Sequence, residues 1–178
     1  MNTGLSEIIF CRHGETESNI GGWLAGSIDI ELTERGQAQA AEAAQLLREE
    51  AVAAIYTSPM RRARETAEII AAVLKLPVVT VDGLQERYWG ELEGGDIPDN
   101  ILTRLEVPGG ESLAEFEARV AKALQSIPQP AAESGLPLVI AHAGTAYAIQ
   151  RYLGWADAST SIANAQPVRM AAAELEAS

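Results

Sequence analysis

The sequence predicts an α/β fold, a three-layer sandwich with a mainly parallel central sheet flanked by helices. Two observations predict it. Short apolar runs of strand character stand at 7–11, 53–58, 77–82 and 136–141, and segments with apolar residues at helical spacing lie between them. No internal repeat, low-complexity segment or interdomain linker interrupts the 178 residues, so one domain over 1–178 is expected.

The first strand, 7–11, carries Ile8, Ile9, Phe10 and Cys11, the β-branched and aromatic composition of a buried strand. A Gly-rich loop (Gly21, Gly22, Gly26) leads to LTERGQAQAAEAAQLLREE, a helix with Thr33 as its N-cap. AAIYTS (53–58) is the second strand. The helix PMRRARETAEIIAAVLK follows at once, with Ala63, Ala67, Ile70 and Leu74 on one face and Pro59 where proline is tolerated. PVVTVD (77–82) is the third strand. Residues 83–110 show no sustained period and form a long connection, the kind that carries function or disorder. Ser112 to Glu115 is a capping box opening a helix with Leu113, Phe116, Val120 and Leu124 as its buried stripe. LPLVIA (136–141) is the fourth strand and ends at His142. A helix over about 144–153, a Ser/Ala/Asn loop and a last strand, PVRMAA (167–172), complete the chain.

Composition narrows the function. A net charge of −12, from 25 acidic and 13 basic residues, argues against nucleic acid or an anionic membrane as the main partner. An anion could still bind in a local cationic pocket, which Arg must build because the chain has two Lys. No stretch approaches the roughly 20 apolar residues that span a bilayer. MNTGLSEIIF lacks the basic and long apolar regions of a signal peptide. The lone Cys11 fits a reducing compartment and is expected to be a small buried apolar residue. A cytoplasmic location is expected.

Ligands of open α/β sheets bind beyond the carboxyl ends of the strands. Here the first strand ends in Arg12-His13, the second leads through Ser58-Pro59 into Arg61-Arg62, the third leads to Glu86, and the fourth ends in His142. Both histidines of the chain stand at that one edge. Cations around an imidazole suit a tetrahedral anion, and Arg binds phosphate oxygens two at a time. A neutral His13 could attack phosphorus, with Arg12, Arg62 and His142 stabilising the equatorial oxygens and Glu86 as general acid–base.

RHGET, with Asn19 six residues after His13, resembles the signature of the histidine phosphatase superfamily, the phosphoglycerate mutase-like family. GSIDIELTERGQAQA, SPMRRARETAEII, LQERYWGELEG, GGESLAEFEARV and VIAHAG extend the resemblance, in order, over most of the chain. The resemblance implies a phosphohistidine on His13, phosphate contacts from Arg12, Asn19, Arg62 and His142, and Glu86 as proton donor. It implies no metal and no other cofactor. Ala143 stands where another branch has an acidic residue after the second His, which again points to Glu86. The chain lacks the extra segments of cofactor-dependent mutases, and Ala25 and Ser27 flank Gly26 where mutases carry Thr and Trp. A phosphatase-type member is therefore expected. Its partner would be a small phosphorylated metabolite, a sugar phosphate or a phospho-acid. The chain departs from the relatives' HGGxxR pattern, reading HAGTAY with Ala143 at the first Gly and Tyr147 at the Arg.

Other readings remain open at this stage. They are a phosphoglycerate mutase, a non-catalytic phospho-ligand binder and a protein-phosphohistidine phosphatase. Glu91 and Glu93 compete with Glu86, and Glu15 and Thr16 could simply shape their turn. Trp23, Tyr88 and Trp89 could wall a substrate pocket or pack their loops, and Arg61 and Arg64 read as solvated.

Overall fold

The computed structural model describes residues 5–158 and 161–173. Residues 1–4, part of the stretch expected to carry no leader, lie outside the described residues. So do 159–160 of the Ser/Ala/Asn loop and 174–178.

Among the described residues, strands β1 (Glu7–Arg12), β2 (Val52–Thr57), β3 (Val78–Thr80), β4 (Leu136–Ala141) and β5 (Pro167–Ala171) form one sheet in the order β3-β2-β4-β1-β5. Neighbours pair in parallel except β5, which runs antiparallel along β1. The helices are α1 (Glu17–Gly21), α2 (Glu34–Leu47), α3 (Arg61–Leu74), α4 (Leu113–Ser126) and α5 (Ala143–Tyr152). The expected α/β architecture is present.

The period-two alternation of β1 divides the interior. Ile8 and Phe10 face Phe116, Val120 and Leu124 of α4 and Ile149 of α5. Ile9 and Cys11 face Ala43, Ala44 and Leu47 of α2 and Ala63, Ala67 and Ile70 of α3. Each large apolar side chain so enclosed contributes about 1.5–3 kcal/mol. Helices thus cover both faces of the sheet and leave its carboxyl edge to the loops.

Local chemistry sets the helix starts. Thr33 Oγ1 accepts from the Gly36 amide at 3.0 Å. Ser112 Oγ accepts from the Glu115 amide at 3.2 Å while Glu115 Oε2 accepts from the Ser112 amide at 2.9 Å, a complete capping box. Two differences from the sequence reading stand out. The third strand shortens to three residues because it is an edge strand paired with β2 alone. The loop after β1 contains the short helix α1, which the two glycines behind it conceal; Gly22, at φ 67°, ends it in the left-handed region.

A close approach fixes that loop. A methyl group on Gly14 would stand 2.3 Å from the Gly36 carbonyl oxygen, and one on Gly36 would stand 2.1 Å from that of Glu15. The loop after β1 therefore rests directly on the first turn of α2, which holds His13 still from below.

The connection 83–110 is ordered by a charge. Arg87 is fully buried and donates to the carbonyls of Glu111 at 2.8 Å, Arg104 at 2.7 Å and Leu105 at 3.3 Å. Its guanidinium also lies 4.6 Å over the Trp89 ring. Leu24, Trp89 and Val107 form a small third apolar cluster there. Among the described residues, no helix is long and apolar enough to cross a membrane.

Candidate active site

Strand register brings the two imidazoles together. β1 and β4 are neighbours, with Arg12 opposite Ala141, so the residue after each strand is a histidine. The His13 amide donates to the Ala141 carbonyl at 3.0 Å, and the ring centroids of His13 and His142 lie 5.3 Å apart. A cavity of about 120 Å³ opens above them. Arg12, His13, Asn19, Arg62 and Glu86 line it; His142 is not among the lining residues, and its ring lies next to that of His13.

His13 is buried, and its Nδ1 lies 2.7 Å from the Gly14 carbonyl oxygen. A carbonyl only accepts, so Nδ1 carries the proton and Nε2 keeps its lone pair. Burial holds the His13 pKa well below the ordinary histidine value, and the Arg62 and Arg12 charges push the same way against a small opposing effect of the Gly14 bond. His13 is thus held as a neutral ring with an unprotonated Nε2. His142 is fully buried and its pKa is likewise far down, from desolvation first and then from Arg62, His13 and Arg12. Its Nε2 lies 2.8 Å from Ser58 Oγ, while its Nδ1 has no protein partner.

The cations are held from both sides. Arg62, from the first turn of α3, donates to the carbonyls of Gly26 at 2.8 Å and Ile28 at 3.0 Å, so it also ties down the Gly-rich loop. Arg12 donates to the Ile162 carbonyl at 3.2 Å, and its Nε is buried without a protein partner. Asn19 Oδ1 accepts from the Thr16 amide and hydroxyl, each at 3.0 Å, and from Asn164 at 3.1 Å. That leaves the Asn19 amino group for the cavity it lines. The amino end of α5, through Ala143, adds the positive pole of a helix dipole. The wall that holds these donors suits a dianionic oxyanion.

Among the lining residues Glu86 is the one carboxylate. Its oxygens accept from the amides of Arg87 at 2.7 Å and Gly144 at 3.0 Å. Glu93 instead pins two loops together through Ser27 and the Trp89 amide, away from the cavity. Glu15 accepts from the Thr33 hydroxyl and pairs with Arg35, and Thr16 bonds Ser18 and Asn19; both shape their turn. Trp23 and Trp89 wall the cavity with Leu24, Ile97, Ile101 and Leu102. Tyr88 lines a second, open cavity of about 730 Å³ on the other side of Glu86. Tyr147, at the pattern's Arg position, packs against the α4–α5 core.

Three supporting contacts escaped the sequence reading. Ser58 meets His142, and Asn164 donates to the His13 carbonyl at 2.9 Å. Arg119 of α4 pairs with Glu111 at 2.7 Å and donates to the carbonyls of Gly83, Gln85 and Glu86, which holds the Glu86 loop to the domain.

Comparison with known proteins agrees with this geometry. The profile of the histidine phosphatase superfamily (branch 1) matches residues 8–170. The uncharacterized phosphatase PhoE of Bacillus subtilis is 33% identical over 90% of this chain and 86% of its own. A metal-independent phosphoserine phosphatase of Arabidopsis thaliana is 33% identical over 90% of this chain and 74% of its own. The structure of a mycobacterial glucosyl-3-phosphoglycerate phosphatase complexed with VO3 superposes with a TM-score of 0.80 at 28% identity, covering 93% of this chain and 90% of that one. Profile, relatives and fold coincide over the same span that carries the two histidines and their arginines, and the chain belongs to the histidine phosphatase superfamily.

Proposed function

We propose that the protein is a phosphomonoesterase that hydrolyses small phosphorylated metabolites through a phosphohistidine on His13, without a metal. The observation that carries this reading is the His13 ring itself, locked by the Gly14 carbonyl with Nε2 unprotonated beside Arg12 and the buried Arg62. Nε2 attacks phosphorus, the bond from phosphorus to the ester oxygen breaks, and Glu86 gives that oxygen its proton. Water then attacks the phosphohistidine and yields its proton to Glu86. The P–N bond breaks, Nε2 recovers its electron pair, and phosphate leaves. Arg12, Arg62, Asn19 and His142 bind the phosphoryl oxygens whose charge shifts along the way.

The walls bear on the alcohol half of the substrate. Beyond the phosphate donors, the inner cavity presents Trp23, Leu24, Ile97, Ile101 and Leu102, with no cation among the described lining residues other than Arg12 and Arg62. The outer cavity carries Asp29, Glu111 and Glu115, and its one cation, Arg119, is already paired with Glu111. A carboxylate on the leaving group finds no partner on either side, so uncharged alcohols are favoured over phospho-acids. The lone, buried Cys11 supports a reducing, cytoplasmic setting.

The test is phosphate release from a panel of alkyl phosphates, sugar phosphates, phosphoserine and 3-phosphoglycerate, with a chelator present. Release that survives the chelator is expected, with neutral esters favoured about ten-fold or more in kcat/KM. His13→Ala is expected to lower kcat by at least about 10³-fold, since the nucleophile itself is removed. No release from any ester would sink the hydrolase reading, and equal release in His13→Ala would sink the phosphohistidine.

A further inference from the structure

Sheet order puts three side chains in a row at the carboxyl edge. Ser58, His142 and His13 follow the adjacent strands β2, β4 and β1. The Ser58 amide donates to the Ile140 carbonyl at 3.0 Å, which seats Ser58 against the end of β4. Its Oγ is 2.8 Å from His142 Nε2, and the Met60 amide donates to the same Oγ at 3.3 Å. Ser58 is fully buried, so its own proton needs an acceptor inside the protein, and Nε2 is the one in reach. A neutral imidazole carries a single N–H, so accepting at Nε2 places the proton on Nδ1. That Nδ1 is buried and without a protein partner, on a ring 5.3 Å from His13.

We propose that Ser58 is a positioning residue: its hydroxyl donates to His142 Nε2, fixes the Nδ1–H tautomer, and so turns Nδ1 into a donor to a phosphoryl oxygen held against His13. The other tautomer would aim a lone pair at the oxyanion and leave the Ser58 proton unsatisfied. The idea rests on the phosphoryl-transfer reading above, and it gives a role to Ser58, the first residue of the SPMRRARETAEII block, to which that reading assigned none.

The chain has only two histidines, so protein labelled with nitrogen-15 histidine gives two imidazole spin systems, which a His13→Gln sample assigns. Long-range proton–nitrogen correlation at neutral pH is expected to show His142 as Nδ1–H. Orthovanadate is expected to shift that Nδ1 proton and leave Nε2 unprotonated. Ser58→Ala is expected to release His142 into a mixture containing Nε2–H and to lower kcat about ten-fold with KM within about two-fold. Ser58→Thr keeps the hydroxyl and is expected to restore tautomer and rate together. An Nε2–H ring in the wild type overturns the proposal whether or not any variant folds. A Ser58→Ala protein with unchanged tautomer and kcat overturns it equally. The tautomer is read without turnover, so a protein inactive on every ester would count against the hydrolase reading alone.

Discussion

Glu86 rests directly against Gly144. A methyl group on Gly144 would stand 2.1 Å from Glu86 Oε1, and the Gly144 amide donates to Oε2. Gly144→Ala is therefore expected to push the carboxylate away and lower kcat by about 10²-fold on alkyl phosphates. Aryl phosphates, whose leaving group needs no proton, should lose much less; an equal loss on both would remove Glu86 as proton donor. The same contact bears on the HAGTAY stretch. Ala143 lies on the cavity wall, while a methyl at the next position would have to displace the Glu86 carboxylate. His13, Arg12, Asn19, Arg62, Glu86 and His142 were legible in the sequence because each sits in a motif at, or one loop beyond, a strand end. The contacts of Ser58, which stands in the same motif as Arg62, and of Asn164 were not, since their bonds to the histidines cross 84 and 151 positions and exist only once the strands are in register.

Among the elements, the long connection 83–110 gave the sequence reading least. It has no period because it is not built on a repeating apolar face. Its order comes from Arg87, which gathers the carbonyls of Arg104, Leu105 and Glu111 from far along the chain, and a lone Arg in a loop looks like any solvated cation until the loop is closed around it. The helices were easier, because caps and apolar stripes are local: Thr33 and the Ser112–Glu115 box stand where the sequence put them. Arg87→Met keeps bulk but strands the three carbonyls, and its expected cost is on the order of 3 kcal/mol. Denaturant unfolding measures that cost. Amide exchange is expected to quicken across 83–110 and to remain slow in β1 and β4, while exchange unchanged throughout would show the loop to be held by its apolar cluster instead.

For the molecule as a whole, the two buried histidines couple stability to pH. Both are held neutral in the fold with pKa values far below the ordinary one near 6.5, whereas the unfolded chain protonates near that value. Between the two values the unfolded state binds more protons, so stability is complete above about pH 6.5 and falls as the pH drops below it. Each histidine contributes up to about 1.4 kcal/mol per pH unit in that window. Thermal unfolding of the wild type and of His142→Gln across pH 5 to 8 checks this: the variant should lose about half of the acid-side slope, and a flat wild-type profile would refute it. The sandwich itself was readable from alternating strand and helix patterns. The pairing of β5 against β1 in the opposite direction was not, since direction is set by where the preceding loop returns.

The third apolar cluster, with Leu24, Trp89 and Val107, sits apart from the two cores that hold the sheet. Its independence has an evolutionary consequence. The roof over the phosphate pocket can be rewritten residue by residue, trading one alcohol for another, while the foundation that aligns the histidines carries none of the load. Descent from such a scaffold yields many specificities from one chemistry, and selection on this chain in the laboratory should find its tolerated changes in the roof first.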